Sequence, residues 1–328
     1  MRFWGLRQKL VEGVDFETAG AMSRMSETNT RIDADHLPSF LIVGPPRTGS
    51  SWLHDVLETR ANLPSPTKET RFFDSHFQRG LKWYRHHFPA VLADRPTGEV
   101  APTYFSSPEA RERIAKTLPG VKIIFTFREP IQRCVSLYRV KCAYGMAPWS
   151  FEEALDRDPE LLESGKYATH LKAWRELFPE DQLLVTLYDD LRNSPQDYLR
   201  KLSDFLGIRP ITLSEDELGH VHSSERMTEP RSYVMTRTAL AIADWCKARK
   251  LDKVVAAVRN SKSMKLFIGG GTPFVEMSQA ARARTTAVFA PEIDAFEQMI
   301  GRDLSEWKSN LAPAASAAPK KNLQACPS

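Results

Sequence analysis

The chain has 328 residues, of which 42% are apolar and 26% charged, and a formal net charge of +4. That length suits one large α/β domain or two modest ones, and the balance excludes wholesale disorder. No run approaches the roughly 18 consecutive apolar residues of a transmembrane segment, and the four scattered cysteines (Cys134, Cys142, Cys246, Cys326) show neither CxxC nor zinc-like spacing, so no metal site and a reducing, cytoplasmic setting are expected.

Residues 1–36 are polar, and their opening apolar stretch is broken by charges, so a partly helical leader is expected rather than a secretory signal. Ser39-Phe-Leu-Ile-Val-Gly44 reads as a buried parallel strand, and Ser51-Trp-Leu-His-Asp-Val-Leu57 carries helical periodicity. Between them lies Gly44-Pro-Pro-Arg-Thr-Gly-Ser-Ser51. A loop in that position binds anions through successive backbone N–H groups and the positive end of the following helix. The spacing matches the nucleotide loop G-x-x-x-x-G-K-[ST], except that Ser50 stands in the lysine position and the cation has moved to Arg47. A triphosphate-binding loop needs that lysine. The substitution therefore favours a loop that grips a single 5′-phosphate.

Val121-Lys-Ile-Ile-Phe-Thr-Phe127 predicts a second strand, Arg128-Glu-Pro130 a turn, and Ile131 to Tyr144 a helix. Arg128 at the strand end and Ser136 two helical turns on can meet one phosphate, as a charged fork and a hydroxyl donor. Arg133, Ser136 and Arg139 fall near one face of that helix, and the alternative is a solvated basic face with an incidental serine. Leu183-Leu-Val-Thr-Leu-Tyr188 is a third strand. Ser194-Pro195 then cap a helix that runs to Gly207. Strands alternating with helices predict a mainly parallel sheet covered on both faces. Residues 226–265 hold ten Lys/Arg against three acids, an excess of +7, on an expected helical insertion. The last 18 residues, 311–328, are Ala/Pro/Ser-rich and expected to be disordered, which leaves 37–310 as a single α/β domain.

GPPRTGSSWL resembles the 5′-phosphosulfate loop of sulfotransferases that use 3′-phosphoadenosine 5′-phosphosulfate (PAPS), where lysine usually stands at the Arg47 position. FREPIQRCVSLYRVKCAYG resembles that family's 3′-phosphate motif. The stretch from Lys68 to Tyr84 (KETRFFD, then GLKWY) is similar to the branch that includes glycosaminoglycan sulfotransferases, as is Glu99-Val-Ala-Pro-Thr-Tyr104, with Val100 where related enzymes carry lysine. Tyr188 to Pro195 resembles a strand-to-helix signature of the same family.

The resemblance implies a P-loop-like central parallel sheet flanked by helices on both faces, the sulfotransferase fold. It implies PAPS as co-substrate, no metal, and transfer to a hydroxyl- or amine-bearing acceptor, a carbohydrate being favoured, with no nucleic-acid partner. Glu69 becomes the general base, with Arg47 beside the leaving group and Lys68 as a helper. Arg47, Thr48, Gly49, Ser50, Ser51 and Trp52 hold the 5′ side, and Arg128 and Ser136 the 3′-phosphate. The alternative for Glu69 is a surface ion pair with Lys68 or Arg71. Phe72, Phe73, Trp83 and Tyr84 are expected in the core. Lys265 and Gly269-Gly-Gly271 are read either as a turn closing over the 3′-phosphate or as an unliganded hairpin. Two other functions remain open: a P-loop phosphotransferase or NTPase using Asp189 and Asp190 for magnesium, and a non-catalytic binder of anionic polymer or membrane through 226–265.

Overall fold

The structure, a computed structural model, describes residues 37–88, 92, 94–214, 232–233, 236–238, 242, 274 and 277–311. The expected leader, nearly all of the basic segment, Lys265, Gly269 to Gly271, Cys246, Cys326 and the tail after 311 lie outside the described residues.

Strands β1 (Phe40–Ile42), β2 (Gly98–Val100), β3 (Lys122–Phe127) and β4 (Leu183–Leu187) pair in parallel, in the order β2-β1-β3-β4. Successive side chains alternate between faces. Leu41, Val43, Ile123, Phe125 and Phe127 enter one core, whereas Phe40, Ile42, Val100 and Ile124 enter the other. With both faces buried, each strand reads as a continuous apolar run rather than an alternating one.

Helix α1 (Ser50–Glu58) follows β1, and α2 (Gly80–Arg85) and α3 (Pro108–Thr117) flank β2. After β3 come α4 (Pro130–Ala143), α5 (Phe151–Arg157), α6 (Glu160–Glu163) and α7 (Tyr167–Arg175). Past β4 come α8 (Tyr188–Asn193), α9 (Pro195–Leu206), α10 (Gln279–Ile300) and α11 (Ser305–Ser309). Leu53 and Leu57 of α1, Leu191 of α8 and Leu199 of α9 cover one face. Residues of α2 to α7, α10 and α11, among them Ile114, Leu137, Trp174 and Phe289, cover the other.

The expected strands and helices agree with these elements to within a residue or two. Helix α9 starts at Pro195 and ends on Gly207, whose φ of 71° only glycine adopts freely. Strand β2 is an addition. Three residues are too few to show a period, and Gly98 masks the pattern because a Cβ there would lie 2.2 Å from the Phe40 ring.

The chain leaves β1 toward β2 and leaves β3 toward β4, in opposite directions across the sheet. The crevice beyond the carboxyl ends of β1 and β3 is thus the topological switch point, where open α/β sheets bind ligands. Both anion-binding sequences begin there.

Candidate functional site

The loop after β1 is pressed onto β3. A Cβ at Gly44 would lie 2.5 Å from the Thr126 amide nitrogen, so only glycine lets the backbones approach this closely. The Thr48 hydroxyl donates to the Pro45 carbonyl at 2.8 Å and pins the turn. Arg47 has φ 74° and Gly49 φ 96°, the left-handed conformations that curl backbone N–H groups toward a common point. For Arg47 this is strained backbone, worth of order 1–3 kcal/mol, of the kind that persists where surroundings hold it. Helix α1 begins at Ser50 with no side chain capping its N-terminus. Its first N–H groups, together with the helix dipole, favour an anion there.

At the end of β3, Glu129 caps α4 by accepting hydrogen bonds from the Ile131 and Gln132 N–H groups at 2.8 and 2.7 Å, and Pro130 opens the first turn. Arg128 is held just before this cap. Its carbonyl accepts from the Tyr167 hydroxyl at 2.7 Å, and its guanidinium lies 4.9 Å over the Tyr188 ring while donating to Gln132 Oε1 at 3.3 Å. Its Nε is buried without a partner among the described residues, an orphaned donor of the kind an anionic ligand satisfies.

The two sequences meet in space. Arg47 Nε donates to Ser136 Oγ at 3.1 Å, joining residues 89 positions apart. Burial, and after it the nearby Arg128 guanidinium, lowers the Arg47 pKa, against a smaller opposing effect of Tyr144 and Tyr188. The two guanidinium groups are thus close enough for Arg128 to act on Arg47.

The other arginines of α4 do not join Ser136. Arg133 is fully buried and donates to Ser164 Oγ at 2.8 Å and the Leu161 carbonyl at 2.6 Å, so it fastens α6. The guanidinium of Arg139 lies 5.5 Å over the Phe274 ring. Periodicity alone grouped these three, and burial separates them.

The loop bearing Glu69 lies beside α1. Lys68 Nζ donates to Ser51 Oγ at 2.9 Å, and Arg71 pairs with Asp74 at 3.3 Å. Both cations of the expected surface ion pair are therefore engaged elsewhere. Among the described residues, no hydrogen bond or ion pair holds the Glu69 carboxylate. Burial raises its pKa above the ordinary carboxylate range, opposed by the charges of Lys68 and Arg71. Burial likewise lowers Lys68. A half-buried, unpaired carboxylate with a raised pKa is a stronger proton acceptor than an exposed one. Phe72, Phe73 and Tyr84 are fully buried in the core, as expected, and Trp83 packs on the His87 ring with centroids 4.2 Å apart.

Two residues that open family-like motifs were given no role of their own by the sequence reading. Tyr188 touches both anion loops, since its ring lies under Arg128 and a Cβ on Gly49 would fall 3.3 Å from it. An aromatic residue closing β4 was the visible signal. Glu99 is fully buried, with its carboxyl raised to about 7 chiefly by burial. Its sequence context offered no sign of that burial.

Asp189 and Asp190, the acids considered for magnesium, are committed elsewhere. Trp307 Nε1 donates to Asp189 Oδ2 at 3.0 Å, and Arg302 grips Asp190 in a bidentate pair at 2.5 and 2.9 Å. Among the described residues, no helix is long and apolar enough to cross a membrane.

Comparison with known proteins bears on the same stretch of chain. The family described as "Sulfotransferase domain" matches residues 37–240. The bifunctional heparan sulfate N-deacetylase/N-sulfotransferase 2 of Bos taurus is 34% identical over 201 residues, covering 54% of this chain and 23% of that protein. The heparan sulfate glucosamine 3-O-sulfotransferase 3B1 of Mus musculus is 29% identical over 204 residues, covering 60% and 52%. The chain thus spans about a quarter and about half of these two relatives. A solved sulfotransferase from Alicyclobacillus acidocaldarius superposes with a TM-score of 0.59 at 22% identity, covering 83% of this chain and 99% of that one, and shares its fold.

Proposed function

The chain belongs to the sulfotransferase domain family, and on that premise we propose that it moves a sulfuryl group from PAPS to an acceptor hydroxyl or amine. The observation that carries this reading is the Arg47–Ser136 hydrogen bond, which joins the loop after β1 to the helix after β3. Two anion sites on adjacent strand ends suit a nucleotide phosphorylated at both 5′ and 3′ positions. The uncapped start of α1 and the partnerless Arg128 Nε fit those two phosphates.

In the proposed step, Glu69 takes the proton of the acceptor group and the freed lone pair attacks sulfur in line. The bond from sulfur to the 5′-phosphate oxygen breaks, and its electron pair leaves on that oxygen. Arg47 and the N–H groups of Thr48, Gly49 and Ser50 stabilise the departing charge, with Ser51 and Trp52 at the helix start and Lys68 alongside. Arg128 and Ser136 hold the 3′-phosphate of the donor and of the product, adenosine 3′,5′-bisphosphate (PAP). Residues 37–310 act as one domain in this reading. The buried Cys134 and Cys142, neither of them in a disulfide, fit a reducing, cytoplasmic setting.

A carbohydrate acceptor is favoured, since both curated relatives are named for heparan sulfate. The test is incubation with sulfur-labelled PAPS and two heparan oligosaccharides, one N-deacetylated and one N-sulfated, in the presence of a metal chelator. Label on either oligosaccharide, with an equal amount of PAP released, is expected. Release of PAP without labelled sugar rejects the carbohydrate, and no release of PAP rejects the transfer reaction.

A further inference from the structure

The Glu99 carboxylate is 0% exposed and has no cation against it among the described residues. Desolvating an ionised carboxylate is expensive unless hydrogen bonds replace water, and an apolar side chain in its place would avoid that expense. The bonds it does accept are therefore informative. Oε1 takes the Thr70 N–H at 2.6 Å and the Thr70 hydroxyl at 2.7 Å. Oε2 takes the Tyr84 hydroxyl at 2.8 Å, and the Tyr104 hydroxyl straddles both oxygens at 3.4 and 3.3 Å.

These bonds continue outward into one loop. The Phe72 N–H donates to the Thr70 hydroxyl at 3.1 Å, and the Phe73 N–H donates to the Tyr104 hydroxyl at 3.4 Å. Three backbone N–H groups of residues 70–73 thus end on Glu99, one directly and two through a hydroxyl. Each of those hydroxyls accepts from the loop and lies within hydrogen-bond distance of the carboxylate, and the two also lie 3.4 Å from each other. An ionised carboxylate, with two acceptor oxygens and no hydrogen, completes this pattern. The segment it fixes starts at the residue after Glu69.

We propose that Glu99 is a positioning residue for Glu69, its carboxylate gathering the N–H groups of Thr70, Phe72 and Phe73 so that the neighbouring base is held beside the start of α1, where Lys68 meets Ser51. The proposal rests on the sulfotransferase reading, in which Glu69 is the base. Glu99 touches neither donor nor acceptor and acts through the loop alone. It leaves the donor site untouched, because the loops after β1 and β3 have their own supports in Gly44, Thr48, Glu129 and Tyr167.

The test is a double-mutant cycle of Glu69→Gln and Glu99→Gln. It is read as the rate of PAP release from PAPS with the N-deacetylated and N-sulfated heparan oligosaccharides, and with water alone, beside calorimetric PAP affinity. Glutamine offers one acceptor oxygen and an NH2 group where the carboxylate offers two oxygens, so part of the pattern must break. Glu99→Gln is expected to lower kcat by about tenfold or more, because small displacements of a reacting group have steep effects on rate. PAP affinity is expected to stay within about twofold, which also reports that the variant is folded. In the Glu69→Gln background the same change is expected to have almost no effect, since nothing is left to position. An equal loss in both backgrounds, or PAP affinity falling in step with kcat, overturns the proposal in favour of a purely structural role. Thr70→Val, which removes only the hydroxyl branch, is expected to lower kcat less than Glu99→Gln does, and wild-type kcat in both variants equally overturns the proposal. A wild type that binds PAP but releases none from PAPS overturns the transfer reading instead, and this proposal with it.

Discussion

The donor side and the base side of the crevice are held by different physics. On the donor side, support is made mostly by backbone. Gly44 packs against Thr126, Thr48 folds back on Pro45, and Glu129 caps the helix that its own sequence begins. On the base side, support comes from side chains on other elements. Glu99 is 29 residues from Thr70, and Arg113 reaches back from α3 to the Phe73 carbonyl at 2.7 Å and the Asp74 carbonyl at 3.1 Å. A phosphate needs many N–H donors converging, which a short loop supplies by its conformation. A base needs one side chain at one place, which a loop attains only when its surroundings hold it.

This contrast sets separable expectations. Glu69→Gln removes the base and leaves the donor loops intact, so kcat is expected to fall by roughly 100-fold or more with PAP affinity unchanged, the range general-base catalysis supplies. Steady-state rates and calorimetry on one preparation check both halves. A loss of PAP affinity in that variant breaks the separation.

The pH dependence sharpens the same point. Glu69 must be ionised to accept a proton, and its pKa is raised by burial. Activity is therefore expected to be full above that raised pKa and to fall as pH drops through it, with the limb lying above the ordinary carboxylate value of 4.5. Measured as kcat/KM against pH, the limb is expected to vanish in Glu69→Gln and to survive in Arg128→Ala.

Effects on the donor side should appear in affinity. Arg128→Ala removes a charged donor from the 3′ site and is expected to weaken PAP by about tenfold, near the ~1.5 kcal/mol of a charge-assisted hydrogen bond. The smallest effect is expected for Tyr188→Leu, which keeps apolar contact with Gly49 but removes the ring under Arg128. A loss of about 0.5–1 kcal/mol in PAP binding corresponds to the cation–π contribution at a partly exposed site. If Tyr188→Leu instead lowers kcat alone, Tyr188 serves the base side and the division drawn above is misplaced.

The same division explains what the sequence made legible. Strands β1, β3 and β4 and the loops at their ends are signalled by apolar runs closed by Gly, Pro and Arg within about ten residues. Helix α9 is likewise bracketed by Ser194-Pro195 and Gly207. Arg133 was grouped with Ser136 because helical spacing records which face a residue lies on and not what packs against it. Its burial against Ser164 and Leu161 is a tertiary fact. Strand β2 is three residues long, and its glycine is required by the Phe40 ring of the neighbouring strand. Glu99 stood in a family-like motif, but its burial was not legible, because its four hydrogen-bonding groups come from Thr70, Tyr84 and Tyr104 elsewhere in the chain.

The central claim is that two anion sites at the β1/β3 switch point recognise one nucleotide at both of its phosphorylated ends. The most direct measurement is a calorimetric titration of the protein with PAP in the presence of a metal chelator, beside ADP under the same conditions and with magnesium added. Micromolar PAP binding, with ADP at least about tenfold weaker for want of a 3′-phosphate, is the expected result. Failure to bind PAP, or a preference for ADP that emerges with magnesium, would contradict it and return the loop after β1 to the nucleotide triphosphate class.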